Sequence, residues 1–225
     1  MIKFYFHHTP NPMKVALFLE EAALPYQLVP VDVFRGEQHD PAFRAINPNG
    51  KMPAIEDDGV RVFDSNAILL YLGDKTGKFI GQAEDRGELL SWLMFVATGL
   101  GPYSGQSVHF KHYAPEKLPY AVNRYHREAQ RHYDVLNQHL NNQSYLAGDE
   151  YTIVDMAAWG WVDRAPGVLG DNALVDYPQL KRWFETVDSR PAVSRARQVG
   201  KDLTFKADMD EESLRAMFPQ NYAEA

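Results

Sequence analysis

The spacing of apolar and polar residues predicts a run of alternating strands and helices over residues 1–80. Residues 2–6, IKFYF, read as a strand. Residues 12–23 carry Val15, Leu17, Phe18 and Leu19 inward with Glu20 and Glu21 outward, which predicts a helix. Residues 26–33 are rich in β-formers and predict a second strand. Asp40-Pro41 supplies an N-cap followed by proline at the first helical position, opening a short helix that Asn47-Pro48 ends. Ala54 to Asp57 and Val60 to Phe63 are two short strands joined by Asp58-Gly59, a strong hairpin signal. Asp64-Ser65 then opens a helix with Ile68, Leu69, Leu70 and Leu72 on its apolar side, closed by Gly77. Ahead of the hairpin stands Met52-Pro53. Proline has no N–H for a sheet ladder, so the backbone there lies at an edge or is bent. Only about 5% of such bonds are cis in folded proteins, so the spacing alone does not imply a cis bond.

The order βαβ followed by αββα is that of a thioredoxin-like domain, with parallel and antiparallel strands in one sheet. Beyond Gly77 the periodicity becomes helical throughout. Helices are predicted over 86–98, over 120–140 with a stripe of Val122, Tyr125, Ala129, Tyr133, Leu136 and Leu140, and from Tyr177-Pro178 to Arg190-Pro191. Thr152 to Asp155 has the form of a capping box opening a helix through Trp159 and Trp161. The stretch 99–119, with its glycines and prolines, reads as a loop. The expected architecture is an α/β thioredoxin-like domain over 1–80 and an all-α domain over 85–225, ending in an acidic surface extension with Asp208, Asp210, Glu211 and Glu212. Trp92, Trp159, Trp161 and Trp183 fall at helical spacing and are expected in the core.

Composition narrows the chemistry. The chain has 225 residues, with 23 Lys plus Arg against 30 Asp plus Glu, a net charge of −7. That argues against a general binder of nucleic acid, which needs a basic footprint. Cysteine is absent, which removes any disulfide framework, thiolate metal site or protein thiol nucleophile. The eight histidines include His7-His8 and the pair His109 and His112, yet no carboxylates are spaced to complete a metal site, so no metal is expected. No G-x-S-x-G elbow points to a hydrolase. The N-terminus lacks a signal-peptide core and no window of about 18 apolar residues spans a membrane. A cytoplasmic protein without membrane attachment is the expectation.

Two stretches carry candidate chemistry. Asp64-Ser65 sits where a helix N-terminus offers unpaired N–H groups to a carboxylate. Ser65 can add a hydroxyl and Asp64 can accept from an ammonium, so the pair matches an amino-acid head group. Either residue can equally serve as a plain N-cap. The turn Thr9-Pro10-Asn11-Pro12 leaves the first strand where thioredoxin-like proteins place a reactive thiol, at a helix start that stabilises a thiolate. As a capped turn it reads with Asn11 at the N-cap and Pro12 first in the helix.

NPNGKMPAI followed by FDSNAILLYL resembles the glutathione-binding core of the glutathione transferase superfamily. With TPN at the first turn, the likeness is to the bacterial Nu class, known for glutathione-dependent disulfide-bond reductases. The resemblance implies a cis Pro53, a Met52 backbone paired with the cysteinyl part of glutathione, and Asp64-Ser65 holding its γ-glutamyl group. It implies that Thr9, Asn11 and the adjacent backbone N–H groups hold the glutathione sulfur, replacing the Tyr, Ser or Cys of other classes. Pro12 departs from the glycine of that pattern. Tyr5 is an alternative activator in mid-strand. The GEQ segment implies a contact from Gln38 to the glycyl end, Lys51 is placed for the glycyl carboxylate, and EAQRHY implies that Arg131 reaches glutathione. Tyr103 and Phe110 fall in the segment that lines the second-substrate pocket. The implied protein is a homodimer in which bound glutathione thiolate attacks a small disulfide. Conjugation to, or removal of glutathione from, an electrophilic aromatic compound is the alternative enzyme, and a non-catalytic glutathione-binding regulatory module is the alternative of another class.

Overall fold

The computed structural model describes residues 1–222. The chain divides into two compact units: Met1–Ile68 together with the segment from Arg195, and Leu69–Ser194. The first is built on a four-stranded mixed sheet, the second on helices, and this is the fold class the sequence predicts.

In the first unit β1 (Ile2–Phe6) buries Ile2, Phe4 and Phe6 on alternate positions, as a half-buried strand must. It is followed by α1 (Pro10–Ala22), β2 (Tyr26–Pro30), α2 (Pro41–Arg44), β3 (Ala54–Asp57) and β4 (Val60–Phe63). α3 (Ser65–Thr76) begins in this unit and runs on into the second. The strand order is β2-β1-β3-β4, parallel between β1 and β2 and antiparallel elsewhere. Asp58 and Gly59 both have positive φ, 48° and 89°, the twist a two-residue hairpin needs.

Two boundaries differ from the predicted ones. β2 ends at Pro30, not at residue 33, because Asp32 turns the chain by accepting the Phe34 N–H at 3.0 Å. Val31 and Val33 still bury their side chains, in a cluster with Phe43, Ile46, Met52 and Ala54. α1 begins at Pro10, two residues early, so Thr9 is the N-cap and Asn11 lies inside the first turn. Prolines at 10 and 12 are both tolerated there because first-turn N–H groups have no intrahelical partner.

The C-terminal segment packs on this sheet unit. The Lys206 N–H donates to Asp32, the Phe205 ring lies tilted against that of His7 with centres 4.4 Å apart, and α11 (Glu211–Met217) starts from an Asp210 cap with Ser213 fully buried.

The second unit contains α4 (Arg86–Phe95), α5 (Gly101–Val108), α6 (Pro119–His139), α7 (Ile153–Val162), α8 (Ala165–Leu169), α9 (Pro178–Asp188) and most of α10 (Pro191–Ala196). The predicted loop over 99–119 is helical as far as Tyr113, carried by wide π-type turns at Val96–Leu100 and His109–Tyr113. Its glycines serve close packing, not flexibility. A Cβ on Gly99 would run into His132 Nε2, and one on Gly101 would lie 2.9 Å from Trp161 Nε1. Pro102 lies inside this continuous helical run, directly after the wide turn at Val96–Leu100, where the regular backbone ladder is already interrupted.

α7 is buried along its whole length. Asp155 organises its start. Oδ2 accepts from Thr152 N at 2.8 Å, completing the predicted capping box, while Oδ1 accepts from Leu146 N at 3.0 Å and Trp183 Nε1 at 2.8 Å. Trp159 and Trp183 are core residues. Among the described residues no helix is long and apolar enough to cross a membrane.

Candidate functional site

Strand register brings the candidate residues of the first unit to one end of the sheet. Tyr5 pairs with Ala54, and Ala54 pairs with Phe63. The turn after β1, the residues just before β3 and those just after β4 therefore leave the sheet at the same edge. Thr9 and Asn11, Met52-Pro53, and Asp64-Ser65 stand on these three connections. Phe6 lies level with Pro30, so the segment holding Gln38 leaves at that end as well.

Asp64 has a φ of 69° and uses Oδ1 to cap α3, accepting from Asn66 N at 2.9 Å and Ala67 N at 3.1 Å. Capping accounts for one carboxylate oxygen; Oδ2 takes no hydrogen bond among the described residues. Ser65 is buried, and its hydroxyl accepts a long bond, 3.5 Å, from Lys14 Nζ. The sequence did not single out Lys14. It sits on α1 at 1% exposure, and burial pulls its ammonium down to about 7 against the opposing charge of Asp64. The available signal was a lone lysine inside the apolar run Met13 to Leu19, with no acid three or four positions away.

At the first turn, Thr9 has extended backbone geometry and its side chain makes no cap bond. Its N–H donates to His7 O at 2.7 Å. With proline at 10 and 12, Asn11 is the sole residue among the first three helical positions that has a backbone N–H. The donor set the sequence places around a sulfur is thus narrower than a free helix end, and weight moves to the Thr9 hydroxyl and the Asn11 amide. His7, just upstream, is buried between Phe34 and Phe205, and burial pushes its imidazole down to about 4, partly offset by Asp32.

The Met52–Pro53 peptide is cis, and the ladder starts only at Ala54. Asn47, at 1% exposure, fixes the approach to it: Nδ2 donates to Lys51 O at 2.6 Å, and Oδ1 accepts from Asn49 N at 2.9 Å. Asn47 is a positioning residue for the loop, a role its sequence signal as a helix stop does not convey. The Lys51 side chain is exposed. Gln38 is buried beneath α11, with Nε2 donating to Ala216 O at 3.1 Å and Oε1 buried without a partner among the described residues.

The remaining candidates belong to the helical unit. Arg131 is exposed on α6 and donates from Nε to Glu128 at 2.8 Å, a carboxylate that Arg124 also engages. Tyr103 stacks on His132 with ring centres 5.2 Å apart, and Phe110 lies parallel to Tyr125 at 5.0 Å, so both belong to one aromatic array between α5 and α6. Among the described residues no three His, Asp or Glu side chains gather as a metal site.

Family profiles for the glutathione S-transferase N-terminal and C-terminal domains match residues 1–74 and 94–191. The chain is 47% identical over 204 residues to the disulfide-bond oxidoreductase YfcG of Escherichia coli, covering 87% of this chain and 94% of that protein. A glutathione transferase from Burkholderia graminis, solved with two glutathione molecules bound per subunit, superposes with a TM-score of 0.82 at 36% identity over 89% of this chain and 88% of that one. One from Phanerochaete chrysosporium, solved with oxidized glutathione, gives 0.84 at 35% identity over 90% and 96%. The chain belongs to the glutathione S-transferase family.

Proposed function

We propose that this protein is a glutathione-dependent disulfide-bond oxidoreductase. Bound glutathione thiolate attacks one sulfur of a small disulfide, forming a mixed disulfide with glutathione and releasing the other sulfur as a thiol. A second glutathione resolves the mixed disulfide, so glutathione is oxidised as the substrate is reduced. The carrying observation is the convergence, at one sheet end, of a helix-opening Thr9-Asn11 turn with the Met52 backbone and Asp64-Ser65, in a chain without cysteine. Such a site can bind a thiol tripeptide and stabilise its sulfur but offers no sulfur of its own. The disulfide-bond oxidoreductase relative and the relatives solved with glutathione or oxidized glutathione support the same reading.

In this reading Met52 pairs with the cysteinyl backbone, Asp64 and Ser65 hold the γ-glutamyl group, and Lys51 and Gln38 serve the glycyl end. Gln38 can donate Nε2 to the glycyl end only if its hydrogen bond to Ala216 O on α11 loosens. Arg131 would have to exchange Glu128 for the ligand, while Tyr103 and Phe110 line the second-substrate side. The working assembly is a homodimer. Val60 and Phe63 support it, exposed at 49% and 41% on edge strand β4. The working location is the cytoplasm.

Reduction of a small disulfide by glutathione, followed by coupled consumption of oxidized glutathione, tests the activity. Turnover proportional to enzyme, dependent on glutathione and unaffected by prior alkylation of the protein is the expected result. Faster conjugation of glutathione to an electrophilic aromatic compound would move the assignment to transferase chemistry. Glutathione binding without either turnover would make the protein a binding module.

A further inference from the structure

Lys14 has three N–H donors to satisfy, and among the described residues it makes one hydrogen bond, the long one to Ser65. An ammonium this deeply buried is costly unless an anion pairs with it. The charge acting on it is Asp64, whose Oδ1 is already engaged in capping α3. A hydroxyl that accepts from an ammonium has its own proton left to donate. Ser65 therefore presents an O–H at the N-terminus of a 12-residue helix, where the dipole also favours a negative ligand group.

We propose that Lys14 is a positioning residue for the ligand carboxylate at Ser65: its buried ammonium orients the Ser65 hydroxyl and supplies the counter-charge for that carboxylate. This rests on the reading of Asp64-Ser65 as the holder of the γ-glutamyl group. In the empty site, burial pulls the Lys14 ammonium down to about 7, against the opposing charge of Asp64. An arriving carboxylate favours the charged form, so binding above pH 7 draws a proton onto Lys14. Affinity then falls as pH rises through 7, while below pH 6 the lysine is already charged and the dependence disappears.

The test is calorimetric titration of the full-length protein with S-methylglutathione, whose blocked thiol cannot release a proton. Titrations at pH 6 and pH 8, in buffers of different ionisation enthalpy, count the protons taken up. Wild-type affinity is expected to drop about tenfold between these pH values, the fraction of charged Lys14 setting the apparent affinity. Lys14→Arg, charged throughout, should keep the pH 6 affinity at pH 8, and Lys14→Met should bind weakly at both. A wild type that binds equally well at both pH values with no proton uptake overturns the role of Lys14 and leaves the γ-glutamyl reading intact. The role of Lys14 is overturned equally if Lys14→Arg shows the wild-type pH dependence, which would place the titrating group on the ligand. Absence of binding to the wild type overturns the γ-glutamyl reading itself. Should one variant fail to fold, the other decides: the wild-type proton uptake must disappear in it, and uptake that persists overturns the role of Lys14.

Discussion

The backbone N–H of Lys206 donates to Asp32 Oδ2 at 2.7 Å, joining positions 174 residues apart. Asp32 is buried at 4% exposure, and its carboxylate also accepts from Phe34 N at 3.0 Å and Arg35 Nε at 3.2 Å. One side chain thus ends β2, shapes the turn after it and anchors the C-terminal segment. Asp32→Ala leaves these donors without their acceptor, and a hydrogen bond to a charged group is worth about 1.5–3 kcal/mol. The expected result is a loss of roughly 3 kcal/mol in urea unfolding with faster hydrogen exchange at the Lys206 amide. Exchange at Lys206 unchanged from wild type would show that the segment is held by other contacts.

His7 makes the same region sensitive to acid. Burial lowers its pKa to about 4, well below that of an unfolded-state histidine, with Asp32 pulling the other way. The unfolded chain therefore binds a proton at pH 5 that the folded chain refuses. Stability contributed by neutral His7 is complete above about pH 6.5 and is lost as pH falls towards 4, by roughly 3 kcal/mol at most. Asp155, raised to about 6 by burial, works in the opposite direction over part of that window. The difference between wild type and His7→Phe, measured by urea unfolding from pH 7 to 4, isolates the histidine. A constant difference across that range would show that His7 titrates normally.

Most of the first unit was legible because its signals are local. Asp58-Gly59, Asp40-Pro41 and the alternation in residues 2–6 each dictate backbone geometry on the spot, and the structure follows them. Lys14 and Asp32 were not legible, since their importance comes from partners at Ser65 and Lys206, far off in sequence. The 99–119 stretch failed for a different reason. Glycine marks a loop by its freedom, but at 99 and 101 it is present because His132 and Trp161 leave no room for a Cβ. A single sequence does not separate these two uses. The cis geometry at Met52–Pro53 followed only from family resemblance, since spacing favours trans.

The packing account of Gly99 has its own test. Gly99→Ala forces His132 away from its stack with Tyr103 and its hydrogen bond to Glu128 O at 2.7 Å. Overpacking of this kind costs about 1–3 kcal/mol. In the Gly99→Ala/His132→Ala double variant most of the added cost of the alanine should vanish, a coupling readable in a double-mutant cycle of urea unfolding. Additive losses would mean that the helix, not the imidazole, resists the methyl group.

The sulfur site gives the sharpest test of mechanism. An ordinary thiol with a pKa near ~8.5 is mostly protonated at neutral pH, so the enzyme must favour the thiolate of bound glutathione. A helix N-terminus contributes only ~0.3–1 kcal/mol towards a nearby anion. Here the first turn is further depleted, because Pro10 and Pro12 carry no N–H. In the proposed site, side-chain donors from Thr9 and Asn11 supply much of the rest, at about 1.5–3 kcal/mol for each bond to a charged sulfur. The Thr9 side chain makes no cap bond, so Thr9→Ala removes the hydroxyl without unmaking the helix start. Both Thr9→Ala and Asn11→Ala should lower turnover about tenfold or more and raise the pKa of bound glutathione by about a unit, followed by thiolate absorbance. Binding of S-methylglutathione, which has no thiolate to stabilise, should change little. If both variants kept wild-type turnover and the same thiol titration, this turn would be only a helix start, and the thiolate would owe its stability to another group.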